Sequence, residues 1–176
     1  IEKLVNEFSD FARMPKPIFQ NNDLVVLIND NIKLLSALDK SIIIDFKKNT
    51  EKMIFNSDKE QLSRVFFNLI KNSIESIQQK SKKDVNFKRN IGIELNDNNH
   101  HISLIINDTG IGFKTLNTNI KDILNPYFTT KTNGTGLGLS IVNKILNDHN
   151  GSIEFISKDN GAEIKIVFLK KWVLKY

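Results

Sequence analysis

Hydrophobic residues recur along this chain with two periods, and each switch of period marks a new element. Ile1, Leu4, Phe8 and Phe11 stand at three–four–three spacing, the stripe of a helix packed against another helix; Pro15 and Pro17 then stop it. At about one and a half heptads the stretch is too short to stand alone. It reads as the tail of a longer helical hairpin or dimerisation bundle, with residues 1–17 a helix end plus linker and residues 18–176 a separate domain. From Asp23, "DLVVLINDNIKLLSAL" is helical in period, with Leu24, Leu27, Ile28, Leu34, Leu35 and Leu38 forming a broad apolar stripe. "SIIIDF" (Ser41 to Phe46) and "MIFN" (Met53 to Asn56) are strand-like. Ser57 and Glu60 fit a Ser-x-x-Glu capping box, which opens a helix running to about Gln79. Its core stripe is Leu62, Val65, Phe66, Leu69, Ser73 and Ile77.

Strands "NIGIELN" and "HISLIIND" follow, joined by the turn-rich "DNNH". The segment from Thr109 to Asn133 has little periodicity, and a helix runs from about Gly136 to Asp148 with Leu137, Ile141, Val142, Ile145 and Leu146 on its apolar face. The chain closes on a hairpin, "GSIEFIS" and "AEIKIVFL", turned through "KDNG". Helices interleaved with roughly five mostly hairpin-linked strands predict an α+β fold. The expected form is a two-layer sandwich with one mixed, largely antiparallel sheet covered on one face by helices.

Composition narrows the chemistry. At 176 residues the domain can bury roughly 70% of its unfolded surface. The longest apolar run, "LVVLI", is far short of a membrane helix, and the chain begins with Ile and carries no signal segment, so it is expected to be an internal stretch of a longer protein. The absence of cysteine excludes disulfides, thiolate metal sites and cysteine nucleophiles. A net charge of +5 suits a polyanionic partner. The cluster "KSKKDVNFKR" (Lys80 to Arg89) reads as a solvated loop, and with no nucleic-acid motif beside it no nucleic-acid partner is expected.

Three stretches carry candidate chemistry. Asn68 and Asn72, four apart on a helix, would stack on the flank of its core stripe; in a chain with 23 asparagines they fit either a plain surface or amide-oxygen ligands for Mg²⁺, a cation that prefers oxygen. "DTGIG" (Asp108 to Gly112) directly follows a strand. Its carboxylate can accept from a donor such as an adenine amino group while the glycines let backbone pass close to the ring, though an ordinary turn fits too. "NGTGLGLSIV" matches neither Gly-x-x-x-x-Gly-Lys-[Ser/Thr] nor Gly-x-Gly-x-x-Gly, because Leu139 or Ile141 stands where glycine is needed. It remains a glycine-rich turn feeding a helix N-terminus, where free N–H groups and the helix dipole favour phosphate.

Asn-x-x-x-Asn on a helix, then Asp-x-Gly-x-Gly, then "PYFTTK", then "GTGLGLSIV", in this order, resembles the ATP-binding catalytic domain of sensor histidine kinases. Those kinases belong to the wider gyrase, heat-shock-chaperone, MutL and histidine-kinase ATPase superfamily. The resemblance covers Asp23 to Leu169, and the lead-in "EFSDFARMPKP" is similar to that of NtrY-type nitrogen-regulation kinases. It implies Asn72 as main Mg²⁺ ligand with Asn68 assisting, Asp108 on the adenine amine, and Gly110 and Gly112 lining the base pocket. Phe128 would be the aromatic of a mobile ATP lid spanning Thr109 to Asn133, and Lys131 a phosphate contact from it. Gly134, Thr135, Gly136, Leu137 and Gly138 would form the phosphate-side turn and the far hinge of the lid. His149 in "DHNG" matches a common helix end of the family and is read as structural.

Water-using members of the superfamily place a general-base glutamate where this chain has Asn68, an amide that cannot take a proton from water. The resemblance therefore implies γ-phosphoryl transfer to a histidine upstream of Ile1, then to a response-regulator aspartate, in a homodimeric parent whose kinase domain is cytoplasmic. Glu75, where a basic residue is common, and Ala162, where a hydroxyl is common, depart from the pattern. A degenerate module acting by docking alone and a water-using ATPase stand as alternatives.

Overall fold

A computed structural model describes residues 14–113, 120–129 and 134–170. The helix expected over Ile1–Phe11, Lys131 and the basic, aromatic tail from Lys171 lie outside the described residues. The elements are β1 (Gln20–Asp23), α1 (Leu24–Ser36), β2 (Ile43–Lys48), β3 (Ile54–Ser57), α2 (Lys59–Ser81), β4 (Asn90–Asp97), β5 (His101–Asp108), a 3₁₀ turn (Ile120–Leu124), α3 (Gly138–Asp148), β6 (Gly151–Ser157) and β7 (Ala162–Leu169).

Five strands form one sheet in the order β2-β4-β5-β7-β6; β2 runs parallel to β4 and all other pairs are antiparallel. The period-2 alternation read in the sequence sends one set of side chains inward, with Ile91, Ile93 and Leu95 on β4, Ile102, Leu104 and Ile106 on β5, and Ile164, Ile166 and Phe168 on β7 all buried. Their register aligns them in cross-strand rows, Ile93–Ile106–Ile164 and Leu95–Leu104–Ile166, and a slip of one residue would turn each row out to solvent. Against this face the helices bury Leu62, Val65, Phe66, Leu69 and Ile77 of α2, and Ile141, Val142, Ile145 and Leu146 of α3. The expected α+β sandwich is therefore present.

Three local expectations change. On α1, Leu34 is 62% exposed and Leu38 lies beyond the helix end; the buried face instead runs through Asn31, whose amide donates to the Leu27 carbonyl at 2.8 Å and to Ser63 Oγ of α2 at 3.0 Å. A side chain with two good acceptors can thus occupy a core position that hydrophobic counting gives to leucine. The capping box moves by one residue: Asp58, not Ser57, caps α2, accepting from the Gln61 amide at 2.9 Å, and Ser57 closes β3. The reason is pairing, because β3 joins β1 in a second, two-stranded sheet (Gln20↔Ser57 to Asp23↔Ile54) and holds Ser57 extended.

Asp58 also binds the lead-in. Its Oδ2 accepts from the Ile18 amide at 2.8 Å, and Gln61 Nε2 reaches the Pro15 carbonyl at 3.0 Å. The Asp58 amide in turn donates to Nε2 of buried His149 at 3.0 Å, so the ring proton sits on Nδ1, which donates to the Ile145 carbonyl at 2.8 Å. The Phe19 ring covers the imidazole at 5.0 Å. His149 is thus structural, joining the end of α3 to the start of α2. Replacing Asp58 by Ala should cost about 1–2 kcal/mol in urea-unfolding stability. Glu60→Ala, which removes the other half of the expected box, should stay within about 0.5 kcal/mol of wild type.

Candidate functional site

The alternation that buries Ile102, Leu104 and Ile106 continues to the end of β5 and brings Asp108 to the inner face, under α2. Its register partners are Ile91 on β4 and Ala162 on β7, so a carboxylate stands in a row otherwise apolar. It is 7% exposed. Burial pushes its carboxyl above the usual carboxylate range. The Gly110 amide, donating to Oδ1 at 2.9 Å, is the largest opposing influence, followed by the Ser73 hydroxyl, the Ala162 amide and the Ser76 hydroxyl. Ser73 Oγ comes near enough to act on the carboxylate, yet forms no hydrogen bond of good geometry within the described residues.

The loop after Asp108 is pressed onto α2 and β7. Ser76 Oγ accepts from the Ile111 amide at 3.1 Å, and a Cβ on Gly110 would collide with that same hydroxyl. Gly161, in the turn between β6 and β7, has φ +95° and lies so close that a Cβ there would run into the Asp108 carbonyl oxygen. Gly112 packs in turn against the Gly161 carbonyl. Phe113 anchors the loop edge-on against Phe155 of β6, ring centroids 5.6 Å apart. Lys80, expected in a solvated cluster, instead donates to the Thr109 carbonyl at 3.0 Å and lies 4.5 Å from the centroid of the Phe87 ring.

Asn68 and Asn72 are half-buried on the flank of α2, as their spacing implies. A Cβ on Gly138 would meet Asn68 Oδ1 at 3.6 Å, so the first residue of α3 lies beside this amide. Leu137 stands at the N-cap of α3 and offers no side-chain cap; Thr135 Oγ1 is 3.5 Å from its amide. Gly134 to Gly136 are half-buried, and the Gly136 backbone is in contact with that of Tyr127, so the two sides of the segment between them meet. Phe128 is half-buried, its amide donating to the Asn125 carbonyl at 3.2 Å, and Ile123 roots the preceding 3₁₀ turn in the interior. Glu75 forms an ion pair with Lys71 at 3.8 Å. The structure thus gathers Asp108, Gly110 and Gly112 at the end of β5, and Asn68, Leu137 and Gly138 where α2 meets the start of α3.

This arrangement holds a buried hydrogen-bond acceptor at the sheet end and, on the flank of α2, the amide oxygen of Asn68 beside a helix start with no side-chain cap. The first can accept from a buried donor; the second, a helix start with free N–H groups, suits an anion. Among the described residues no three His, Cys, Asp or Glu side chains cluster to hold a metal, so a cation here would meet amide oxygens and the anion itself. The sequence reading missed Gly161 and Ser76. Gly161 sits in a "KDNG" turn that hairpin chemistry alone explains, and Ser76 on a helix face that looks merely polar.

The model of the histidine kinase-, DNA gyrase B- and HSP90-like ATPase family matches residues 57–172, and the chain belongs to that family. Its sequence and fold are those of an ATP-binding histidine-kinase catalytic domain. A putative NtrY-like sensor histidine kinase of Rickettsia conorii is 34% identical over 99% of this chain, which spans 28% of that relative's length. The catalytic domain of histidine kinase ThkA superposes with TM-score 0.72 at 26% identity, covering 87% of this chain and 96% of that one. ThkA in complex with the response regulator TrrA matches in fold at TM-score 0.71 and 21% identity, over 97% of this chain and 47% of that one. No helix among the described residues is long and apolar enough to cross a membrane.

Two measurements check the geometry. Because the folded-state pKa of Asp108 is raised, the native state holds its proton to higher pH than the unfolded chain. This group's contribution should therefore fall as pH rises from its ordinary value of 3.8 through its raised folded value. Thermal melts of Asp108→Asn against wild type should lose that slope, with the mutant relatively more stable on the alkaline side. Gly161→Ala should destabilise by about 3 kcal/mol or more, because a backbone carbonyl cannot move aside. Gly92→Ala, on β4 with nothing within 4 Å, should leave the urea midpoint nearly unchanged.

Proposed function

We propose that this domain binds Mg·ATP and passes the γ-phosphoryl to a histidine outside the chain, as the catalytic domain of an NtrY-like two-component sensor histidine kinase. The observation that carries the reading is Asp108, a carboxylate buried in the inner row of the sheet with the Gly110 amide on one oxygen, an acceptor suited to a flat group that bears a donor. In this reading Asp108 accepts from the adenine amine, with Gly110 and Gly112 keeping the loop backbone low beside the base. Asn72, helped by Asn68, offers amide oxygen to Mg²⁺, which when bound would neutralise charge on the phosphate oxygens. The turn from Gly134 to Gly138 gives backbone N–H groups to the phosphates, Phe128 belongs to the lid, and Lys131 would add a phosphate contact.

Position 68 favours a histidine over water as acceptor, since an amide cannot serve as general base. Two of the chain's three histidines are poorly suited. Both ring nitrogens of His149 are engaged, and His101 pairs with Asn98 at the opposite end of β5 from Asp108, roughly 23 Å away at ~3.3 Å per residue. The acceptor would stand on the dimerisation helices of a homodimeric parent, of which residues 1–17 would be the end, with the domain in the cytoplasm and a response regulator receiving the phosphoryl group.

Calorimetric titration should show Mg·ATP binding to wild type and a loss of about tenfold or more with Asn72→Ala or Asp108→Asn. With labelled ATP the isolated chain should gain no acid-labile phosphate and release little free phosphate. Equal, negligible affinity in all three proteins would sink the reading in favour of a docking module. Multi-turnover phosphate release would favour a water-using ATPase.

A further inference from the structure

The buried stripe of α2 ends in hydroxyls where it crosses the end of β5. Leu62, Val65, Phe66 and Leu69 are apolar; Ser73, next in the stripe and 2% exposed, is not. Nothing in helix packing calls for serine there, since Ile70, Ile74 and Ile77 fill the surrounding positions. Its Oγ is buried and unpartnered among the described residues, which is costly for a hydroxyl unless it is completed in use. One turn further along the same helix Ser76 touches Gly110 and Ile111, which sets Ser73 over the end of β5, where the buried Asp108 carboxylate takes the Gly110 amide on Oδ1. Across the same carboxylate, β7 presents Ala162, which brings no hydroxyl. Ser76 Oγ already has a partner, accepting from the Ile111 amide, and its proton is left to act on the carboxylate from the next turn of the helix. Ser73 is thus the hydroxyl on this wall whose oxygen and proton both lack a partner among the described residues.

We propose that Ser73 is a positioning and specificity residue of the base pocket, donating its hydroxyl to Asp108 so that the carboxylate stays ionised and turned to accept from a 6-aminopurine. This rests on the reading of Asp108 as the purine acceptor. It makes the helix, rather than β7, the source of the second polar group at the base. A purine with oxygen at position 6 would gain nothing from the arrangement, because the ionised carboxylate accepts and cannot donate to it.

The test is calorimetric titration of this chain with ADP and with IDP, in Mg²⁺, across pH. Ser73→Ala should weaken ADP binding about three- to tenfold and leave IDP binding unchanged. The acid limb of ADP affinity should move to higher pH, since the ionised carboxylate loses a donor. The melting temperature without nucleotide should hold or rise, because an unpartnered buried hydroxyl has been removed. Ser73→Cys, which keeps the bulk and donates weakly, should behave like Ser73→Ala and guards against a packing effect. If wild type binds ADP and Asp108→Asn loses it while both Ser73 variants match wild type in affinity and acid limb, this inference falls and the kinase reading stands. If wild type shows no preference for ADP over IDP, or no binding, both fall.

Discussion

The site depends on one geometric constraint, that side chains on a strand alternate. Once Ile102, Leu104 and Ile106 face the helices, Asp108 must face them too, and an ionisable group is carried into the layer between sheet and helix. Nothing local at Asp108 chooses that orientation; the six apolar residues paired with β5 on β4 and β7 do. The charge penalty at the end of the row is then reduced by groups that other elements bring: the Gly110 amide, the serines of α2 and the Ala162 amide. Close backbone crossing at Gly161 and Gly112 allows these elements to converge. The proposed base pocket lies where a core row is continued one step into polar chemistry.

The second half of the site is built by helix packing. α2 carries Asn68 and Asn72 on its flank, and α3 sets its uncapped first turn against the same flank, with Gly138 beside Asn68 Oδ1. A Cβ at position 138 would sit in ordinary contact with that amide, at 3.6 Å, so the closeness comes from how the two helices pack rather than from the glycine. Among the described residues no acidic cluster contributes charge here. The arrangement offers neutral oxygens and N–H dipoles, which suits a ligand that brings its own negative charge and its own cation.

Much of this was legible in the sequence, because the strongest signals are periodic. The strands from Asn90 to Asp108, the stripe of α2, the closing hairpin and the helix after "GTGLG" all follow from spacing, and the order of four short motifs identifies the family. What was not legible depends on contacts distant in sequence. Leu34 looks like core until Asn31 finds partners on Leu27 and Ser63. Ser57 looks like a cap until β1, more than thirty residues earlier, holds it in a strand. Lys80 looks solvated until the Thr109 carbonyl appears beside it. Ser73 was visible as part of a stripe, but only its position over Asp108 shows why a hydroxyl stands there.

The Asp58 junction ties the two ends of the domain's history together. One carboxylate both starts the helix that bears Asn68 and Asn72 and grips the lead-in at Ile18, while its own amide leans on the histidine that ends α3. A pull on the lead-in would therefore meet the start of α2 and the end of α3, the two helices that frame the site, before it met the five-stranded sheet. By thermodynamic reciprocity, if occupancy of the site strengthens the hold on the lead-in, a held lead-in strengthens occupancy by the same free energy. The junction works as a mechanical linkage: a short strand, an aspartate and an imidazole in series, through which the chain before the domain and the contents of its pocket can sense each other.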